Sequence, residues 1–404
     1  MKRAQFRTLL YVVVFMYLMT FCVILPLVCW SLPFSRYYFH HKRTESLERA
    51  ITKDVAKGQA ADKYFSQLNQ IESLAFHADA LRGSSPKYAI GIITVKRQSA
   101  EFQTYHPRYL SRVVAEFDRL LKISNRKDII LFICNAQTDP NDHQEAQNLT
   151  KYVTSVGKTK SVQAELAPYS RIREQEKQDY AFCMNEIHKF NAEYSILVQD
   201  DAVPYPQFIS SIDCLMETRI ENKLIRGHLQ PNNEKWVAVK FYFPEKWQGF
   251  GNERPLIIEF IAGALFGGGF LYGLCRLFFN SYLNFAQSTV IFIVLCIYCG
   301  LAMFIIGRPY LLILRRFSVD LHGVRGAPEC CIPAVLYKTN ALPHIQEHLK
   351  MITCTVNNPL DVAISKFVQS RNEKQYLIMP NLFNHIGLFS SLHPKAKSPH
   401  SFMG

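Results

Sequence analysis

No zinc-finger spacing, no aromatic RNP-type motif and no long block of Lys or Arg occurs in the 404 residues. These absences exclude the common nucleic-acid-binding classes, although the net charge is +13. The surplus of positive charge then points to an anionic membrane surface or a phosphate-bearing substrate. Charged residues are also scarce, 20% against 49% apolar, which excludes a disordered chain. A sizeable core is affordable at this length, as one large domain or two ordinary ones. The first apolar run has no small-x-small cleavage pattern near its end and is too long for a signal peptide, so it reads as an uncleaved anchor.

What is present is apolar length. Residues 9–32 are nearly all apolar, enough to cross a bilayer. Lys2, Arg3 and Arg7 precede this run, and Arg36, Lys42 and Arg43 follow it. The short basic end is therefore expected in the cytosol. Two further apolar runs, 256–274 and 288–306, are joined by a connection that holds Arg276, Asn280, Asn284 and Gln287. Gly263 and Gly267 make a GxxxG step that lets two helices approach closely, and Gly268, Gly269 and Gly273 follow. The pair reads as a tight transmembrane hairpin, or else as a buried helical pair in a soluble core. If it spans, the segments on either side of it share one side of the membrane and can form one domain. Between anchor and first strand, residues 44–81 show helical apolar spacing (Leu47, Ala50, Ile51, Val55, then Phe65, Leu68, Ile71). This is a stem or an amphipathic helix, closed by Gly83-Ser84-Ser85-Pro86.

The eleven cysteines divide by place. Cys22, Cys29, Cys275, Cys296 and Cys299 lie in apolar stretches and read as buried or lipid-facing thiols. Cys134, Cys183, Cys214, Cys330, Cys331 and Cys354 lie in the polar remainder, and their even number permits disulfides of unspecified connectivity. The adjacent Cys330 and Cys331 are expected not to bridge each other; each has a separate partner, or one stays free. Asn148-Leu149-Thr150 is a glycosylation sequon, in agreement with a lumenal location.

Apolar, β-branched runs at 87–95, 129–134 and 194–198 alternate with helical patterns at 105–123 and 173–190. Such alternation implies an α/β sheet with parallel strands. Ligands of these sheets gather beyond the carboxyl ends of the strands. Residues 94–97 and 199–201 fall at such ends. There Asp200 and Asp201 stand side by side, and a divalent cation would relieve their repulsion and hold a diphosphate. The alternative is that Asp201 caps a helix starting at Pro206. Lys96 and Arg97 meet uridine or phosphate, or are surface charge. Further strands are expected at 235–243 before the hairpin and at 334–337 and 376–379 after it, with helices at 342–350 and 362–369. Asp361 opens the last helix, as a catalytic carboxylate or as a first-turn acid. His385 reads as a ligand or as a structural histidine.

Three segments, in this order, resemble a known family: Glu176-Lys177-Gln178-Asp179-Tyr180, Leu197-Val198-Gln199-Asp200-Asp201-Ala202-Val203-Pro204, and His385-Ile386-Gly387-Leu388-Phe389-Ser390-Ser391-Leu392. They are similar to the Golgi GPI-glycan GalNAc-transferases, and the likeness runs from residue 1 to about 392. That family also has an N-terminal anchor and a transmembrane hairpin inserted in a GT-A-type domain. A more distant likeness to the branching N-acetylglucosaminyltransferases rests on Asp179-Tyr180-Ala181 and His385-Ile386-Gly387.

The resemblance implies a GT-A-like α/β domain interrupted by the hairpin, a UDP-GalNAc donor, a Mn2+ ion and a mannose of the GPI core as acceptor. The enzyme would be a multi-pass protein of the Golgi membrane with its catalytic domain in the lumen. The organisation is then a tail at 1–8, anchor at 9–32, stem at 33–86, first domain part at 87–255, hairpin at 256–307 and second domain part at 308–404. By the same resemblance Val95 lines the uridine, while Gln199, Asp200 and Asp201 form the donor-binding acidic site. Asp201 and His385 serve the metal, and Asp361 is the base of an inverting reaction. Gln199 departs from the family, which usually has Glu there; Gln accepts a ribose hydrogen bond but adds no charge. Two other readings remain. One is an N-glycan-type N-acetylglucosaminyltransferase, against which the three-pass layout argues. The other is a non-catalytic membrane scaffold, prompted by Gln199.

Overall fold

The computed structural model describes residues 2–38, 43–81, 85–97, 105–158, 168–221, 235–279, 285–390 and 397. Lys42, Gly83, Ser84, Asn280, Asn284, Ser391 and Leu392, each named in the sequence reading, lie outside these. The chain divides into two units. One takes Met1–Arg43 and Pro244–Phe317, the other Thr44–Phe243 and Ser318–Pro399.

In the second unit the β-branched runs become strands: β1 Tyr88–Thr94, β2 Ile129–Asn135, β3 Ser155–Gly157, β4 Tyr194–Gln199, β5 Ala202–Pro204, β6 Trp236–Lys240, β7 Gly323–Gly326, β8 Ala334–Lys338, β9 Lys374–Met379 and β10 Phe383–His385. Eight of them form one sheet in the order β3-β2-β1-β4-β8-β6-β9-β7, and β10 pairs with β5 separately. β1, β2 and β4 are buried nearly throughout, as central parallel strands should be. They run parallel to one another, as do β2 with β3 and β6 with β9. The expectation of parallel strands fails at β8, which is antiparallel to both β4 and β6, and at β7, antiparallel to β9. The chain reaches β8 after the long insertion and not through a strand–helix–strand crossover, so the crossover rule does not fix its direction. β6 precedes the hairpin in sequence while β8 and β9 follow it, so the two flanking segments close one sheet.

Helices cover both faces of this sheet. On one, Phe117 and Leu121 of helix Tyr109–Ser124 pack with Ile90, Ile92, Phe208 and Phe383. On the other, Met184 and Ile187 of helix Pro168–His188 join Phe132, Leu197 and Ile364. The expected strand at 235–243 stops at Lys240. Beyond it Phe243 is bracketed by Asn381, whose Oδ1 accepts from the Phe243 amide (3.0 Å) and whose Nδ2 donates to its carbonyl (2.8 Å).

The expected stem helix is broken in two, Arg43–Gln67 and Gln70–Leu81. Asn69 causes the break: its Oδ1 accepts from the Ile71 amide (3.1 Å) and starts the second helix. Both pieces attach to buried Asp118 on helix Tyr109–Ser124. Its carboxylate accepts from Tyr64 (2.5 Å), Ser73 (3.0 Å) and Lys122 (2.9 Å) and lies 2.8 Å from His77 Nε2. Burial works to raise this carboxyl, but the hydrogen bonds win and hold it at about 2.

Cys134 and Cys183 form a disulfide between β2 and helix Pro168–His188. Cys330 and Cys331 also bridge, to each other, against the expectation from their adjacency. Cys331 has φ 82°, which departs from the extended backbone that points consecutive side chains to opposite faces.

The first unit holds three helical segments long and apolar enough to cross a membrane: Leu10–Cys29, Arg254–Leu277 and Phe285–Ile306. Only 17%, 11% and 17% of their apolar windows are buried, which rules out a buried helical pair in a soluble core. The two hairpin helices, Arg254–Phe279 and Phe285–Ile306, extend past the apolar runs that marked them. The glycine step works as expected, with one addition. A Cβ on Gly263 or Gly267 would press on Met303 or Cys299, and one on Gly268 would sit 2.7 Å from the Cys296 backbone. The anchor packs on the second hairpin helix through Tyr17, which donates to the Val294 carbonyl (2.7 Å), and through Thr20 and Tyr298, 2.8 Å apart.

Candidate active site

β1 and β4 end side by side, with Ile93 opposite Gln199. The turn after β4 carries Asp200 and Asp201, both buried. The loop after β1 sends Arg97 back over them. Its guanidinium pairs with Asp200 Oδ1 and, at 2.9 Å, with Asp201 Oδ2, and it rests 5.0 Å over the Tyr109 ring. Arg97 is thus neither surface charge nor free for a phosphate.

The two acids have different surroundings. Asp200 has both oxygens engaged, since Thr94 donates to Oδ2 (2.7 Å). Thr94 in turn lies 2.8 Å from His143 Nε2, and burial pushes the His143 imidazole down. In Asp201, Oδ2 faces Arg97 and His385 Nε2 (3.3 Å), while Oδ1 is buried with no hydrogen-bond partner among the described residues. Burial works to raise its carboxyl, but Arg97 and then His385 hold it well below the usual range.

Asp201 is not a helix cap. The next helix starts at Phe208 with Gln207 before it. Instead β5 follows at once and pairs antiparallel with β10, which sets His385 opposite Ala202. The Ile386 amide donates to the Asp201 carbonyl (2.8 Å), and the His385 ring stacks on Tyr242 with centroids 5.6 Å apart. A Cβ on Gly387 would fall 2.0 Å from Asp201 Oδ2, so no side chain fits there.

Val95, Gln199, Asp200, Asp201, Asp361 and His385 all line one cavity of about 510 Å³. A larger cleft of about 790 Å³ opens at the amino ends of β1 and β4, beside Lys87 and Glu193, away from the acid pair. Ligands of such sheets bind at the carboxyl ends, so the smaller cavity is the candidate site.

Asp361 stands in the first turn of helix Leu360–Ser370. Its Oδ2 accepts from the Cys331 amide (2.9 Å) and its Oδ1 from the Val362 amide (3.0 Å). The Cys330 and Cys331 sulfurs and an Asp361 oxygen lie within 4.8 Å of one another, but the disulfide leaves no thiolate to ligate a metal. The loop before Cys331 is gathered by buried Lys240, whose ammonium donates to the carbonyls of Pro328 (2.8 Å), Glu329 (2.8 Å) and Cys330 (3.1 Å). Burial lowers Lys240 to about 8.

Sequence reasoning assigned no role to Lys240, Thr94, His143 or Glu176. Glu176, on helix Pro168–His188, also lines the cavity. Burial raises its carboxyl, against the pull of Arg173 at 3.1 Å. The Arg173-x-x-Glu176 spacing was its available signal. The donors at the acid pair fit a divalent ion. Asp201 Oδ1 is a buried acceptor with no partner among the described residues, the His385 imidazole lies 3.3 Å from the other oxygen, Oδ2, and carboxylate oxygen suits hard divalent ions such as manganese.

The sequence profile of one family, described as GPI-N-acetylgalactosamine transferase PGAP4, matches residues 88–384. The match runs from the first residue of β1 into β10. It takes in both halves of the split sheet, the acid pair and Asp361, and ends one residue before His385. The chain belongs to the GPI-N-acetylgalactosamine transferase family.

Proposed function

We propose that this protein transfers GalNAc from UDP-GalNAc to a mannose of the GPI core, with inversion and with manganese, in the Golgi lumen. The observation that carries this reading is the cavity at the ends of β1 and β4, which holds the Asp361 carboxylate and an Asp201 oxygen with no partner among the described residues. Family membership supports the acceptor class.

Val95 and Gln199 border the nucleoside, and the Gln199 amide accepts a ribose hydrogen bond. Arg97, paired with both acids, fixes the orientation of the acid pair. Asp201 and His385 would hold the manganese ion, which neutralises charge on the departing UDP. Asp361 takes the proton of the mannose hydroxyl as that oxygen attacks the anomeric carbon. The new C–O bond forms on the face opposite the old one, whose electron pair leaves with UDP. The Cys331 and Val362 amides hold one Asp361 oxygen each and so aim the remaining lone pairs. Glu176 is a further carboxyl on the cavity wall, and its Gln variant separates it from Asp361 as a candidate for the base.

The test is expression in cells that lack GPI GalNAc side-chain activity, with released GPI glycans read by mass spectrometry beside an Asp201→Ala control. One added HexNAc, absent in the control, supports the proposal. No gain from a well-expressed, Golgi-located protein overturns it and favours the non-catalytic reading that Gln199 prompts.

A further inference from the structure

The membrane unit contains a cavity of about 490 Å³ that the transfer reaction does not use. It is lined by Glu259, Gly263, Phe266, Met303, Leu311 and Arg315, among others. Its polar end is an ion cluster. Glu259 Oε2 accepts from Arg308 Nε (3.1 Å) and Nη2 (2.8 Å), and Oε1 accepts from Arg315 Nη2 (3.0 Å). Arg308 is buried and also donates to the Gln248 carbonyl (3.0 Å), so it is fully committed. Arg315 is about a third exposed, at 35%, and its Nε and Nη1 make no hydrogen bond among the described residues. Two cations against one anion leave the cluster with one positive charge.

Position gives this charge a meaning. Glu259 is in the second turn of helix Arg254–Phe279, and Arg308 opens the short helix Arg308–Ile313 one residue after helix Phe285–Ile306 ends, so the cluster marks the end where the hairpin leaves the apolar layer. Phe266 lies seven residues deeper than Glu259, about 10 Å along the helix. The wall between them is apolar. Next to Arg315, Leu314 and Phe317 are exposed, at 57% and 87%, as side chains that dip among acyl chains are.

We propose that this cavity binds an anionic phospholipid, with its phosphodiester on Arg315 and the upper part of an acyl chain along Gly263, Phe266 and Met303. The single surplus positive charge matches a lipid of net charge minus one, and the apolar wall matches its chain. A zwitterionic lipid would bring a choline cation to the same cluster.

The full chain is reconstituted in nanodiscs of equimolar phosphatidylcholine and phosphatidylinositol, and lipids retained on release are counted by native mass spectrometry. The expected result is one retained phosphatidylinositol in preference to phosphatidylcholine. Arg315→Gln should cut that preference about fivefold, as loss of one basic contact does, and Arg315→Lys should keep most of it. Ala262→Trp adds bulk at an exposed lining position without removing a buried contact, and should cut retention as well. Equal retention of both lipids, or a preference untouched by Arg315→Gln and Ala262→Trp, would overturn the proposal. No sugar transfer is measured, so this result is independent of the fate of the proposed activity.

Discussion

Asp200 and Asp201 are neighbours in sequence with opposite duties. Asp200 spends both oxygens on Thr94 and Arg97, which makes it a strut; Asp201 keeps one oxygen uncommitted. Exchange of Asp201 for Ala should therefore abolish manganese-dependent turnover, whereas Gln199→Glu, which adds a charge at the same strand end, should lower the manganese concentration needed for half-maximal rate. A manganese titration of both variants checks this. For the base, Asp361→Asn should lower transfer by about a hundredfold to ten-thousandfold with donor binding unchanged, and Glu176→Gln should cost far less. Steady-state rates beside a UDP-GalNAc binding isotherm decide; the reverse order would move the base to Glu176.

At the scale of elements, Asp118 is the point where both stem helices meet the domain. Its carboxyl is held at about 2, below the ordinary value of 3.8. The sign follows: the contribution is full above 3.8 and is lost as pH falls through about 2. It amounts to about 2 kcal/mol. Asp118→Asn should lose at least that much at neutral pH, and the gap from the parent should narrow below pH of about 4. Urea titrations of the full chain in detergent, read by tryptophan fluorescence, measure both.

Hairpin packing makes a parallel case. Gly268→Leu would drive its Cβ into the Cys296 backbone, while a Cβ on Gly273 meets nothing within 4 Å. The first variant should give aggregated protein on gel filtration and Gly273→Ala a normal profile.

The elements that carry a strong pattern were legible: β1, β2 and β4 through their apolar runs, and the three long apolar segments through length alone. β3, β5, β7 and β10 were not, because three or four residues show no periodicity. That omission hid the β5–β10 pair, which joins residues about 180 apart and brings His385 to Asp201. The position of the acid pair at a strand end was legible from the apolar run before it, whereas only the family resemblance drew Asp361 and His385 to the same cavity. The turn of Arg97 onto the acids and the Cys330–Cys331 bridge were not legible, since each depends on loop backbone that no local pattern encodes.

At the scale of the whole molecule, one sheet is drawn from segments on either side of a membrane hairpin. Replacement of residues 244–317 by a flexible linker should leave the disulfide Cys134–Cys183 and turnover on a short soluble acceptor intact, and should depress turnover on membrane-borne acceptors. Rates on the two acceptors, with a peptide map of the disulfide, test it.

The split sheet also sets a timetable. β4 ends at Gln199, and its partner β8 begins at Ala334, 135 positions later (334 − 199). Ribosomes add about 5–20 residues each second, so β4 waits roughly seven to twenty-seven seconds with one edge bare. The hairpin must be threaded into the bilayer during that interval. Damage to the hairpin would then surface as a half-built sheet, whose open edge invites chaperones or other chains before any question of activity arises.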